Sequence, residues 1–230
     1  MMNMRFLKEM SFSAGLLAFV GCASFGNGVH PDSSDWDDVF SRDLSNAECK
    51  SPGWAWDAEG YLTPSTPETL FTKRDYGSFV LDCEYRLAPT GNSGIFIYDT
   101  QHPTHKVEIQ LLDDHHPMYV KEVPYQFTGA LYGRCAPTCV NSAPANELNR
   151  MTITARGKDV TVALNGKVVV EADLSRWTDP NVNPDGTVIP KWHKGFPALA
   201  TIPRHGRIAL QGVHGGAPVR FRYLKVKELK

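Results

Sequence analysis

Beyond its first two dozen residues, this chain has no apolar run near the roughly 20 residues that a membrane-crossing helix needs. It also lacks an excess of either charge: 24 Lys and Arg stand against 25 Asp and Glu in 230 residues. A nucleic-acid surface needs clustered cations to displace counterions from phosphate, so that class of partner is excluded. There is no C-x-x-C pair, which argues against zinc. There is no glycine-rich phosphate loop, no G-x-S-x-G elbow and no H-E-x-x-H helix, so the sequence offers no phosphate cradle, elbow-type serine hydrolase or zincin. No stretch carries the 3.6-residue apolar period of a long helix, and no internal repeat or second domain is visible.

What the chain does have is punctuation and alternation. It contains 16 Pro and 19 Gly, with Val, Ile, Thr and aromatics in short runs between them. Period-two alternation marks half-buried strands. In 77–87, Phe79, Leu81, Cys83, Tyr85 and Leu87 share one face, and Ser78, Val80, Asp82, Glu84 and Arg86 share the other. Segments 53–62, 95–99, 106–112, 150–155, 160–164, 167–171, 207–213 and 219–226 continue the pattern. Asn165-Gly166, between two β-rich runs, is the strongest hairpin signal. About ten short strands with frequent turns predict an all-β fold, a two-sheet antiparallel sandwich of the jelly-roll kind. The Pro-rich stretch 173–203 reads as an irregular excursion on the rim or over a site.

Residues 1–21 read as an export signal: Arg5 and Lys8 precede the apolar stretch 12–20, and small residues precede Cys22. Cys22 is then the expected lipid attachment site, with ordinary cleavage near Ala23 as the alternative. The expected location is outside the cytoplasm, periplasmic or on the cell envelope, with contact to a membrane only through that lipid. Residues 22–35 read as a polar tether and 36–230 as one domain. An oxidising compartment favours disulfides among the remaining cysteines: Cys135 with Cys139 across a short turn, and Cys49 with Cys83. The other reading makes Cys83 a buried free thiol on an apolar strand face.

The richest polar stretch is 106–114. Val107, Ile109 and Leu111 must face a core, so Lys106, Glu108 and Gln110 point outward together. If that surface is concave, Glu84 and Arg86 from another strand could join them; otherwise it is a solvated sheet face. The stretch superficially resembles the paired-carboxylate strand of laminarinase-like retaining glucanases, whose acids sit about 5 Å apart. Here Gln110 replaces the middle acid and Leu112 holds the next position on the face; Gln cannot act as nucleophile or proton acceptor, which disfavours that chemistry. Asp113-Asp114-His115-His116 is the one candidate for a divalent cation, although neighbours on a strand point opposite ways and a polar loop is the alternative. No cofactor is otherwise required. His102, His105, His193 and His205 sit near Pro or Gly and are expected to be exposed loop residues.

Several segments occur in a characteristic order: Tyr76–Leu87, Gly91–Ile95, Val107–Asp113, Thr128–Gly133, Leu164–Lys167, Gly206–Gln211, His214-Gly215 and Val219–Arg222. This ordered set resembles the 3-keto-disaccharide hydrolase family over about residues 36–230. The resemblance implies a concanavalin A-like jelly roll and sugars already oxidised to a ketone at carbon 3. Tyr98 stands where the family often has a basic residue, and Arg222-Tyr223 where it has Arg-Asn. Both are expected to alter substrate details.

A 3-keto group acidifies the hydrogen on carbon 2, so one base can form an enolate that expels the group on carbon 1; water then adds to the enone. On this implied chemistry Glu108 is the expected base, and His214 the alternative base or the acid. Arg86 or a metal would stabilise the enolate. Glu84, Asn92, Gln110, Asp113, Tyr132 and Gln211 are the expected saccharide contacts. Alternatively Asn92 makes a turn, Tyr132 is a core aromatic and His214 shapes a hairpin. A competing reading is a non-catalytic sugar-binding lipoprotein in which Trp54, Trp56, Trp177 or Trp192 stacks on sugar rings. A structural surface lipoprotein is the third.

Overall fold

The computed structural model of the chain describes residues 29–230, so the expected export signal and the acylation at Cys22 lie outside the described residues. Thirteen strands follow in order: β1 (Asp37–Asp38), β2 (Ala47–Glu48), β3 (Trp54–Trp56), β4 (Leu62–Pro64), β5 (Leu70–Thr72), β6 (Phe79–Leu87) and β7 (Asn92–Asp99), then β8 (Val107–Leu112), β9 (Leu148–Arg156), β10 (Asp159–Leu164), β11 (Lys167–Asp173), β12 (Arg207–Leu210) and β13 (Val219–Glu228). Four single-turn 3-10 segments are the only helical structure among the described residues. The larger sheet runs β11-β10-β9-β6-β13-β4-β3 with β1 added to β13, and the smaller runs β2-β5-β12-β7-β8. Every strand pair is antiparallel.

Period two decides which side chains meet between the sheets. Phe79, Leu81, Cys83, Tyr85 and Leu87 of β6 pack against Ile95 and Ile97 of β7, Val107, Ile109 and Leu111 of β8, and Ile208 and Leu210 of β12 in one core. Each such side chain contributes about 1.5–3 kcal/mol on leaving water. The alternate residues consequently face outward, and the two sheets present opposite sides of the sandwich to solvent. The hairpin at Asn165-Gly166 joins β10 to β11 with φ of 46° and 83°, the two positive values a type I′ turn requires. Strands β1, β2 and β5 have two or three residues each, too few to show a period in the sequence.

Two expectations change. The tether is partly embedded: Ser33 is fully buried and its hydroxyl donates to Asp82. His30 Nε2 accepts the Gly166 N–H at 2.8 Å, so its other nitrogen, Nδ1, carries the proton shared with Thr152 Oγ1 at 2.7 Å. Burial, then the Arg150 charge, holds the His30 pKa below its usual value. The expected disulfides are absent, since Cys49, Cys83 and Cys135 are free thiols. Cys83 points into the core from the middle of the larger sheet, where burial raises its pKa; its alternative reading as an inert buried thiol holds.

Asp82 gathers this end of the molecule. Its carboxylate, fully buried, accepts from Arg150 Nη2 at 2.7 Å and from Thr152 Oγ1 at 2.7 Å besides Ser33. Removing one partner of a buried ion pair strands the other charge. Because the Arg150 side chain is 33% exposed and keeps part of its hydration, Asp82→Ala is expected to lower unfolding free energy by about 2–3 kcal/mol and to open residues 30–35 to proteolysis, as denaturant titration and limited digestion would measure. His30, whose pKa is lowered on folding, stabilises the strap above its unfolded pKa and ceases to as pH falls through its folded one.

Candidate functional site

The site is built on the outer face of the smaller sheet. In the β7–β8 pair Gly94 lies opposite Gln110, and Phe96 opposite Glu108. The Gln211 N–H, just beyond β12, donates to Gly94 O at 2.9 Å and brings its side chain alongside. A further segment covers the free edge of β8, which would otherwise expose a row of unpaired backbone groups. There Gly129 N–H donates to Gln110 O at 2.9 Å, Gln110 N–H to Ala130 O at 3.0 Å, and Tyr132 N–H to Glu108 O at 2.9 Å. The covering segment thus fixes Tyr132 beside Glu108.

The excursion predicted between β11 and β12 closes the other side. Its short turn Lys191–His193 places Trp192 and His193 over the sheet. The nearly buried Arg134 guanidinium donates to Pro180 O at 3.5 Å and Pro197 O at 3.2 Å, tying both ends of the loop down. Burial lowers the Arg134 pKa to about 10. His193 stacks on Phe196, with ring centroids 4.7 Å apart, and lies 5.3 Å from the Tyr132 ring. Gly133, at φ 68°, leaves the space this imidazole fills: a Cβ there would stand 3.0 Å from His193 Nε2.

The result is a hollow of about 340 Å³, within the lower range of small-molecule sites. Of the residues picked out from the sequence, Asn92, Glu108, Gln110, Tyr132, Gln211 and His214 all line it. Asn92 Oδ1 accepts weakly from Gln110 Nε2 at 3.4 Å. Gln211 Oε1 and His193 Nδ1 are buried without a hydrogen-bond partner. Buried polar atoms left unpaired cost free energy, and a bound hydroxylated ligand would relieve that cost.

Glu108 is recessed at the floor. Loss of hydration raises its carboxyl pKa to about 7, against the opposing pull of Lys106. Gly94 makes this placement possible, because a Cβ at Gly94 would lie 2.7 Å from Glu108 Oε1. Lys106 reaches over the Phe96 ring, with Nζ 3.9 Å from the centroid, and supplies the local cation. Burial also raises the Tyr132 pKa, keeping its phenol protonated as a donor, while a hydrogen bond with Gln126 opposes the rise.

Several expected members lie elsewhere. Glu84 and Arg86 project from β6 on the opposite outer face: Glu84 pairs with Arg222 Nε at 2.7 Å, and Arg86 lies over the Tyr61 ring. Arg86 therefore cannot stabilise charge beside Glu108, and Arg222 is equally remote. Asp113 is spent on the Thr90 N–H at 3.1 Å, closing the turn into β7. Tyr98 is buried in the core, its hydroxyl donating to Gly157 O, so it does not alter the hollow's charge. The candidate cation ligands diverge: Asp114 accepts from Ser142 and Thr128, His115 contacts Ser142 O, and His116 receives the Met118 N–H. Among the described residues no three His, Cys, Asp or Glu side chains converge as a cation site requires.

The sequence reading missed His193, Phe196 and the role of Lys106. His193 was expected to be exposed but is 7% exposed, with burial and the Arg134 charge lowering its pKa to about 4. Only long-range closure of the loop reveals it. Lys106 already shared the outward face with Glu108, which was the available signal. Of the four tryptophans considered as sugar platforms, Trp192 alone lines the hollow; Trp54 and Trp177 are buried, and Trp56 is stacked under Arg42.

The raised Glu108 pKa has a consequence for stability. Its contribution is complete below its ordinary pKa of 4.5 and is lost as pH rises through about 7. Glu108→Gln should thus be more stable than the parent above pH 7, by at most about 3 kcal/mol, and indistinguishable below about pH 4.5. Paired denaturant titrations at the two pH values measure the difference.

Residues 27–227 match the profile of the 3-keto-alpha-glucoside-1,2-lyase-like domain. A search of curated proteins finds no match. Among solved structures, a protein provisionally described as a glycosyl hydrolase from Parabacteroides distasonis is 36% identical, with a TM-score of 0.79 over 84% of this chain and 99% of that one. A second such protein from the same organism is 26% identical, with a TM-score of 0.61 over 85% of this chain and 84% of that one. A carbohydrate-binding module from Bacillus subtilis, at 10% identity and a TM-score of 0.51 over 82% of this chain and 99% of that one, shares the fold. The sandwich is of the concanavalin-like kind expected, its family is tied to saccharides, and the chain belongs to the 3-keto-alpha-glucoside-1,2-lyase-like domain family.

Proposed function

We propose that this hollow cleaves glycosides already oxidised to a ketone at carbon 3, on the outer side of the cytoplasmic membrane. The observation that carries the reading is the Glu108 carboxyl, lifted to a pKa of about 7 at the floor of a hollow lined by hydroxyl-pairing amides. A base with that pKa is ionised for part of the population at neutral pH and still strong enough to take a carbon-bound proton. The ketone supplies the acidity. Export rests on the sequence of residues 1–22 alone.

In this reading Glu108 removes the carbon-2 hydrogen, and the electron pair forms an enolate whose charge rests on the ketone oxygen. Lys106 takes the stabilising role that the sequence reading had given to Arg86, since it is the cation lining the hollow beside Glu108. Collapse of the enolate breaks the bond from carbon 1 to its oxygen, and the departing oxygen takes a proton from the Tyr132 hydroxyl, which is held beside Glu108. Water then adds to the enone: its oxygen bonds carbon 1 as its proton returns to the deprotonated acid, and carbon 2 takes back the proton held by Glu108, so the net change is hydrolysis and both groups are reset. Asn92, Gln110 and Gln211 hold the remaining hydroxyls. A lone carboxylate suffices, which agrees with Gln110 and Leu112 at the two following positions on the outward face, where the glucanase strand would carry further acids.

Incubating the protein with a 3-keto-glucoside and with the unoxidised glucoside tests the reading: the aglycone should be released from the first alone. Glu108→Gln should lower kcat/KM by about 10²–10⁴ with the fold intact. In the parent, kcat/KM should rise with pH through about 7 as Glu108 ionises. Retention of both glycosides without release would make the protein a binding module, and near-parental turnover by the variant would end the assignment of Glu108.

A further inference from the structure

The hollow has two chemically different ends. Asn92, Gln110, Gln211 and His214 bring amides and an imidazole to one end, where β12, β7 and β8 lie side by side. Trp192 and Phe196 flank His193 on the excursion; His193 stacks on Phe196 and lies 5.3 Å from the Tyr132 ring of the segment that covers the edge of β8, so these aromatics line the hollow on that side. Glu108 lies where the two meet. Trp192 is 53% exposed. A scattered surface aromatic needs no explanation, but this one walls a concavity. Its neighbour His193 is locked under Phe196 with a buried Nδ1 that has no partner. The loop beneath is clamped by Arg134 at Pro180 and Pro197. A ring on a fixed support loses little entropy when it stacks on a ligand.

We propose that Trp192 and Phe196 are the aglycone-binding half of the site and that the protein selects glycosides whose departing group is a flat ring, above all an aryl group. This rests on the reading that the hollow cleaves 3-keto-glycosides and adds which of them it favours. The oxidised sugar has hydroxyls for the amides, so it occupies the polar end with carbon 2 over Glu108. The group on carbon 1 must then project to the aromatic end, where a short alkyl chain would leave the indole face against water. An aryl ring covers that face and gains the stacking that aromatic pairs show beyond simple burial.

The test compares phenyl and methyl 3-keto-glucosides, read as the ratio of their kcat/KM values, in the parent, Trp192→Ala and Trp192→Phe. The parent is expected to prefer the phenyl compound. Trp192→Ala should lower that ratio about threefold to tenfold, and Trp192→Phe should restore part of it. An unchanged thermal midpoint is expected because the ring is largely outside the core. Calorimetric binding of unoxidised phenyl and methyl glucosides provides a readout that does not need turnover. If the ketosides are cleaved but the ratio survives Trp192→Ala, the aglycone assignment is overturned and the cleavage reading stands. If no ketoside is cleaved but the phenyl glucoside binds more tightly through Trp192, the platform stands and the cleavage reading falls. Equal binding of the two glucosides to the parent would also overturn the proposal.

Discussion

Strand β8 cannot put all its residues inside, and the hollow depends on that constraint. Val107, Ile109 and Leu111 complete the core between the sheets, so the pleat turns Glu108 and Gln110 outward whatever else the chain does. An outward carboxyl on an ordinary sheet face would be hydrated and unremarkably acidic. Here Tyr132 and His193 close over the same face, and hydration is lost. The carboxyl is thereby made a weaker acid and, once ionised, a stronger base.

That arrangement works against stability and is held in place from several directions. An ionised Glu108 is disfavoured in the folded chain, two buried polar atoms lack partners, and Gly94 and Gly133 give up side chains so that Glu108 and His193 fit. The excursion has no sheet of its own to hold it; Arg134, buried against its carbonyls, does so. Such departures from local rules are expected where a site is made. The opposite face shows the contrast: there the carboxylates are paired, Glu84 with Arg222 and Asp82 with Arg150.

The same division explains which residues could be read in advance. Glu108 and Gln110 were legible because alternation within one strand settles which face a side chain takes. Asn92 and Gln211 were legible as members of ordered segments, although only the register of β7 against β8 and the Gln211–Gly94 hydrogen bond show that they meet. Arg86 and Glu84 have the same alternation on β6, and it correctly turned them outward. It could not say that β6 belongs to the other sheet. Asp113 was misjudged for a related reason, since its carboxylate is used by a backbone N–H in a turn that no periodicity describes. His193 looked like one more loop histidine because the contacts that bury it come from Tyr132, Gly133 and Arg134, some sixty residues earlier.

What the chain's order of residues determined by itself is local: short strands, the Asn-Gly hairpin, the inward and outward sets of each strand, and an acid paired with an amide on an otherwise apolar run. These follow from backbone geometry with a two-residue repeat, which acts over neighbouring positions and is written in composition. Which outward faces lie together, which thiols stay apart, and which histidine loses its water were decided only by the tertiary structure. Sheet assignment and loop closure depend on free energies summed over residues far apart in sequence. No short window of the sequence contains that sum.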